Sequence, residues 1–295
     1  MRLIKIFKAI EENKLGVLND KAIYSCINKK NKKGLTPIHY AVICKNTQAV
    51  RFLLEYGADI DIYNKYGFTP LQTASSMDYY EIVEVLMKHK LYKTWYEPMM
   101  LAASKNNYQT FYRLIKLGGD VNGYVKDKEG PSLLHWAAQE GNIDIIRLLV
   151  ENGAAPDLLN ESCLTPLYMS ASEGYLDIVN YLISCGANLE GRIEQGFNKT
   201  TPLMIATSWN RINVVDALLK QGANIEARDR DGRTSLFYAV LRQHNEVVDL
   251  LIRNGARQDI KDYRGYILKD LSNPSVRKKI EDEEDFFDTI EHKEE

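Results

Sequence analysis

The side chains here with the most accessible chemistry are five histidines, four cysteines and a recurrent set of carboxylates. Cys26, Cys44, Cys163 and Cys185 are scattered, with no C-x-x-C pair of the kind that holds zinc. That pattern fits free thiols in a reducing compartment. His89, His244 and His292 have no cysteine or carboxylate neighbours at metal-ligand spacing. His39 and His135 each stand three residues after a hydroxyl side chain, Thr36 and Ser132. Gln72, Met100, Tyr168, Met204 and Phe237 occupy the equivalent place elsewhere. A position that accepts so many residue types serves the scaffold and not a reaction. Glu81, Asp144, Asp177 and Glu246 also recur at one position, which marks an exposed polar face and not a general acid–base pair. The sequence contains no G-x-G-x-x-G, P-loop, G-x-S-x-G or H-E-x-x-H motif. The expectation is a protein that is not an enzyme and that uses no metal and no cofactor.

The elements that carry these residues are best seen in Gly130–Asp157, GPSLLHWAAQEGNIDIIRLLVENGAAPD. Its pattern predicts two short helices, Leu133–Gln139 and Ile143–Glu151. Ile143, Ile146, Leu149 and Val150 form one apolar face of the second. Gly141 and Gly153 stand where a helix end needs a residue that tolerates positive φ. Helices this short do not persist alone in water, so the unit needs copies of itself. The second residues of the recurring Thr-Pro or its variants are Pro37, Pro70, Pro98, Leu133, Pro166, Pro202 and Ser235. They are spaced by 33, 28, 35, 33, 36 and 33 residues.

A period near 33 opened by T-P-L-H-x-A resembles the ankyrin repeat. The matching residues are TPIHYA at 36–41, LLHWAA at 133–138 and the Gly-Ala pairs at 57, 153, 186, 222 and 255. The resemblance spans about Leu3 to Ile280. It implies an all-α solenoid of paired antiparallel helices with projecting β-turn loops. It also implies that the T-P-L-H histidine ties a helix start to the neighbouring loop by hydrogen bonds. The organisation read from the period is an N-terminal capping repeat at 1–33, seven repeats over 34–260, a C-terminal cap at 261–280 and an acidic tail at 281–295. One continuous stack is expected. Its irregular junction is 90–97, where Lys90-Leu91 replaces Gly-Ala and the aromatics Tyr92, Trp95 and Tyr96 fill a shortened connection. With its hairpin missing, this junction is expected to be the weakest interface, and its aromatics to cover the apolar surface left open.

The formal net charge is −2, but residues 1–33 hold nine Lys/Arg against three Asp/Glu, and 277–295 hold four against nine. No lysine or arginine stripe runs along successive repeats, which argues against a nucleic-acid partner. Lys29-Lys30-Asn31-Lys32-Lys33 reads as a solvated loop tip in preference to a nuclear-localisation signal. No run of about 18 apolar residues offers membrane insertion. The charged N-terminus reads as an amphipathic helix, so the expected location is cytoplasmic, or the host cytosol for a secreted effector.

What remains is recognition of a protein partner by a chain that is monomeric alone. The resemblance implies binding on the concave face, at the ends of the first helices and at the hairpin tips. The candidates are Met77, Glu140, Glu173, Trp209 and Arg242 in the column and Tyr66, Lys128, Arg230 and Arg233 at the tips. Two functions stay open: a non-enzymatic interaction scaffold, and a regulatory or host-directed effector whose array targets an activity held by a partner. Phe286, Phe287 and Ile290 add a motif-like cluster in the tail.

Overall fold

The structure, a computed structural model, describes residues 2–17, 23–89, 95–123, 130–191, 199–272 and 274. Its contacts gather the chain into two compact units, residues 1–125 and 126–295. The acidic tail, Tyr92 and the Lys90-Leu91 pair lie outside the described residues.

The first unit contains α1 (Arg2–Glu11) and three helix pairs: α2 (Pro37–Ile43) with α3 (Thr47–Glu55), α4 (Pro70–Ser76) with α5 (Tyr80–His89), and α6 (Tyr96–Ser104) with α7 (Tyr108–Lys116). Four pairs make up the second: α8 (Leu133–Gln139) with α9 (Ile143–Glu151), α10 (Pro166–Glu173) with α11 (Leu176–Ser184), α12 (Pro202–Ser208) with α13 (Ile212–Lys220), and α14 (Ser235–Leu241) with α15 (Asn245–Arg253). First helices pack on first helices and second on second. The rows are α1–α2–α4–α6 over α3–α5–α7 in one unit, and α8–α10–α12–α14 over α9–α11–α13–α15 in the other. The all-α architecture of paired helices expected from the period is what the structure shows.

Local chemistry explains each start and stop. Pro37, Pro70, Pro166 and Pro202 sit in the first turn, where a missing N–H costs nothing. The hydroxyls of Thr69, Thr165 and Thr201 accept from the backbone N–H three residues on. Each such cap is worth about 1 kcal/mol. The turn joining the two helices of every pair then needs one left-handed residue. Lys45, Asp78, Asn106, Gly141, Gly174, Asn210 and Gln243 take that role. Glycine is obligatory at Gly141 for a second reason: a Cβ there would lie 2.8 Å from the Tyr175 ring.

The core is built from the facing sides of these helices. Ile38, Leu53, Leu71, Leu86, Met99 and Phe111 are fully buried in the first unit, as are Leu134, Ile146, Leu149, Leu182, Leu218 and Leu251 in the second. Each contributes roughly 1.5–3 kcal/mol of burial that a lone seven- or nine-residue helix could not obtain. At the start, Ile6 and Ile10 of α1 are buried, and Phe7 meets Tyr40 edge-on at 5.0 Å. At the other end, Leu271 packs on Phe237 and Leu241, with Tyr266 and Leu268 beside them.

Across the shortened connection, α4 packs on α6 and α5 on α7 within a single unit. Trp95 and Tyr96 are half-buried there. Burial pushes the Tyr96 phenol up to about 12, and its hydroxyl lies 3.8 Å from the Met100 sulfur.

Candidate functional site

Three sets of polar side chains hold the repeats in register, and they define which positions remain for binding. The first is a turn. The backbone N–H groups of Asn31, Asn64, Asn160, Asp229 and Asp262 each donate the closing bond of a five-residue loop to the carbonyl four residues on. In backbone terms, Asn31 N–H donates to the Leu35 carbonyl at 2.9 Å, and Asn64, Asn160, Asp229 and Asp262 repeat this with Phe68, Leu164, Arg233 and Tyr266. The side-chain Oδ1 of the same five residues accepts in return from the N–H of residue i+4, at 2.8–3.1 Å. Such side-chain mimicry of a turn is why asparagine and aspartate recur here. The signal was present in the sequence, since Asn31, Asn64, Asn160 and Asp229 all stand five residues before the helix-capping threonine.

The second set is the histidines. His39 Nδ1 lies 2.7 Å from the Thr36 hydroxyl, and its Nε2 donates to the Phe68 carbonyl at 3.0 Å. His135 repeats this with Ser132 at 2.8 Å and the Leu164 carbonyl at 2.9 Å. Both rings are fully buried. Burial lowers the His39 pKa, and takes that of His135 down to about 4. Both imidazoles are therefore neutral struts between a helix start and the last residue of the next tip.

The third set ties one pair to the pair before it. Asn46 Nδ2 donates to the Ile10 carbonyl, Asn107 Nδ2 to Ser75, Arg211 Nε to Ser172 and His244 Nδ1 to Thr207, at 2.7–3.0 Å. His244 thereby acquires a structural role. Sequence reasoning missed this set because asparagine, arginine and histidine share no pattern beyond being donors.

The candidate column falls on the surface. Met77, Glu140, Glu173, Trp209 and Arg242 are all exposed, together with Cys44 and Lys105 in the remaining pairs. Trp209 is 49% exposed, the largest apolar side chain left in water by the second unit's first helices. It follows α12, which packs on α10 and α14; α10 ends at Glu173, and Arg242 follows α14 at the equivalent place. Glu81, Asp144, Asp177 and Glu246 lie exposed in the first turns of the second helices, where a carboxylate complements the helix dipole. They are spread along the rows and do not converge.

The tip candidates divide. Tyr66 is 68% exposed, with the Lys65 ammonium 4.6 Å from its ring centroid, and Arg230 is exposed. Lys128 lies outside the described residues. Arg233 corrects the sequence reading, because it is only 1% exposed. It occupies the i+4 place of its turn, which Leu35, Phe68, Leu164 and Tyr266 fill elsewhere; Leu35 is buried there, Leu164 and Tyr266 half-buried and Phe68 exposed. Its guanidinium lies over the Phe237 ring at 5.8 Å and 3.8 Å from Asp231. Asp229 beside it is also buried and accepts the Tyr238 hydroxyl at 2.6 Å. Burial pushes the Asp229 carboxyl up, partly offset by the Tyr238 bond and by Arg233.

Among the described residues no nucleophile, base and oxyanion donors come together. Cys44 is exposed, but its surroundings push the thiol up, away from the reactive thiolate. Among the described residues no group of three His, Cys, Asp or Glu side chains could hold a metal ion. A depression of 290 Å³ lined by Asn180, Asn213, Asp216 and Lys220 is open and polar.

Three copies of a family description, "Ankyrin repeats (3 copies)", match residues 6–94, 99–193 and 190–262. The chain belongs to the ankyrin-repeat family. It is similar to "Neurogenic locus notch homolog protein 1" of Cricetulus griseus, 33% identical over 168 residues, which is 54% of this chain and 6% of that protein. It is also 27% identical over 179 residues to "Nuclear factor NF-kappa-B p105 subunit" of Gallus gallus, 58% of this chain and 18% of that protein. The chain thus spans only a small part of these curated relatives. Ankyrin repeats are generally protein–protein interaction modules and typically non-enzymatic. Among the described residues no helix is long and apolar enough to cross a membrane.

Proposed function

We propose that this ankyrin-repeat protein is a non-enzymatic scaffold that captures a protein partner on the exposed row at the ends of the second unit's first helices. The observation that carries the reading is Trp209, half in water at a helix end, with Glu173 and Arg242 exposed at the equivalent ends of the neighbouring first helices. An apolar side chain of that size gains most from a partner that desolvates it. The matching partner offers an apolar pocket for the indole, a cationic group toward Glu140 and Glu173, and an anionic group toward Arg242. Exposed Arg230 extends the contact at a tip of the same unit. All four cysteines are free thiols, in keeping with a monomer acting in the cytoplasm.

The test pairs two variants of the whole chain. Trp209→Ala with Arg242→Ala is expected to weaken capture of a partner from lysate by about 2 kcal/mol or more. Melting should move by no more than about 0.5 kcal/mol. Leu149→Ala, at a fully buried position, is the stability control and should cost about 2–5 kcal/mol. A surface variant that melts like the control, or one that folds and still captures, would sink the assignment.

A further inference from the structure

The first two tips form a surface of a different kind. Lys29, Lys30, Lys32 and Lys33 are all exposed around the turn at Asn31, and Lys65 and Tyr66 are exposed on the next turn. The two loops touch: a Cβ placed on Gly34 would lie 2.7 Å from the Lys65 Cβ. Some exposed lysines elsewhere are ion-paired, as Lys8 with Glu12, Lys88 with Glu84 and Lys220 with Asp216. None of the five tip lysines has a carboxylate within ion-pair distance among the described residues. Their ammonium groups thus form one positive patch without ion pairs among the described residues, held by backbone turns that do not need the charge.

The patch is bounded in a way that selects its ligand. Exposed Asp59 and Asp61 lie at its base, the Asp59 N–H donating to the Asn28 side chain at 2.9 Å. The positive charge also stops after two loops, whereas a nucleic-acid track needs it to continue. Exposed Tyr63 and Tyr66 supply apolar area beside the ammonium groups. A short anionic stretch with one apolar side chain fits both features.

We propose that these two tips dock an acidic segment of a protein partner, a run of aspartate and glutamate carrying an aromatic or large aliphatic residue. The proposal rests on the scaffold reading above but uses a separate surface, so the two can fail separately. The lysines supply attraction and orientation at long range, and Tyr66, whose ring already carries the Lys65 ammonium, supplies the contact.

The experiment titrates the full chain with a labelled poly-glutamate peptide containing one phenylalanine, at low and high salt. Binding is expected, weakening with salt. Replacing Lys30, Lys32 and Lys33 together by Gln should weaken it about tenfold, with a larger loss for Glu. Trp209→Ala should leave it unchanged. If the Glu variant loses its cooperative melt, the Gln variant decides. Absence of peptide binding, or equal binding by the Gln variant, overturns the proposal. So does a single-stranded oligonucleotide of equal charge that binds more tightly and is lost in the same variant, since the patch then serves nucleic acid. Loss of lysate capture in the Trp209 variant alongside no peptide binding would leave the scaffold reading standing and this one refuted.

Discussion

The tips at 31–35 and 229–233 share one backbone and use their charges in opposite ways. Both close with an N–H to carbonyl bond four residues on, 2.9 Å at Asn31 and 3.0 Å at Asp229, and both use the Oδ1 of the first residue to hold the loop. In the first tip the i+4 residue is Leu35, buried as hydrocarbon, and the lysines point outward with no partner among the described carboxylates. In the second, the i+4 residue is Arg233, buried with Asp229. Charge on a repeat tip is available to a partner only when the turn does not consume it. Which of the two holds depends on one position and not on how basic the loop looks.

The largest expected effect breaks the second tip. Asp229→Ala removes the acceptor of the Asp231, Arg233 and Tyr238 bonds and leaves a guanidinium buried beside the gap. It should cost about 3–5 kcal/mol in a denaturant melt. A cost under 1 kcal/mol would mean that the Arg233 charge is compensated elsewhere.

Acid should discriminate between tips that histidines support and those that they do not. His135 holds the Leu164 carbonyl, and its folded pKa is about 4 against an unfolded value near 6.5. A base with a lowered folded pKa binds more protons when unfolded. Its stabilisation is thus complete above about pH 6.5 and is lost as the pH falls toward 4. The loss is on the order of 3 kcal/mol. His39 acts in the same direction on the tip at Phe68. His135→Gln should flatten the pH dependence of the melt, and an unchanged slope would refute the strut.

Asn31→Ala, which takes one acceptor from an exposed turn, should cost about 1 kcal/mol. The smallest effect sharpens the comparison most. Asp229→Asn combined with Arg233→Leu rebuilds the second tip on the pattern of Asn31 and Leu35. It should be within about 1 kcal/mol of neutral, because buried charged groups contribute little beyond what hydrocarbon of similar size supplies. A double variant as poor as Asp229→Ala would show that the Arg233 site cannot accept hydrocarbon.

The period, helix starts and left-handed glycines were legible because each rests on a local rule. Pro70, Thr69 and Gly153 behave where they stand as any chain would. The helix-end positions of Met77, Trp209 and Arg242 were legible for the same reason, whereas their exposure depends on how neighbouring pairs pack and was not. Arg233 was misread because register alone does not settle the matter: counted from Asp229 it falls in the slot where Leu35 is buried but Phe68 is exposed, and its burial rests on Phe237 and the Asp229 turn. The ties from Arg211 and His244 escaped because their acceptors are carbonyls in the preceding pair, 39 and 37 residues away. Only folding brings those atoms together.

Those ties bear on how such a chain can change over generations. The acceptor at Ile10, Ser75, Ser172 and Thr207 is in every case a peptide oxygen, which survives any replacement of the side chain it belongs to. A duplicated or transplanted pair therefore arrives with its socket already in place. Its plug needs only a nitrogen at the right reach. Gene duplication and recombination can then lengthen or reshuffle the array without coordinated second-site changes, and selection stays free to work on the outward residues.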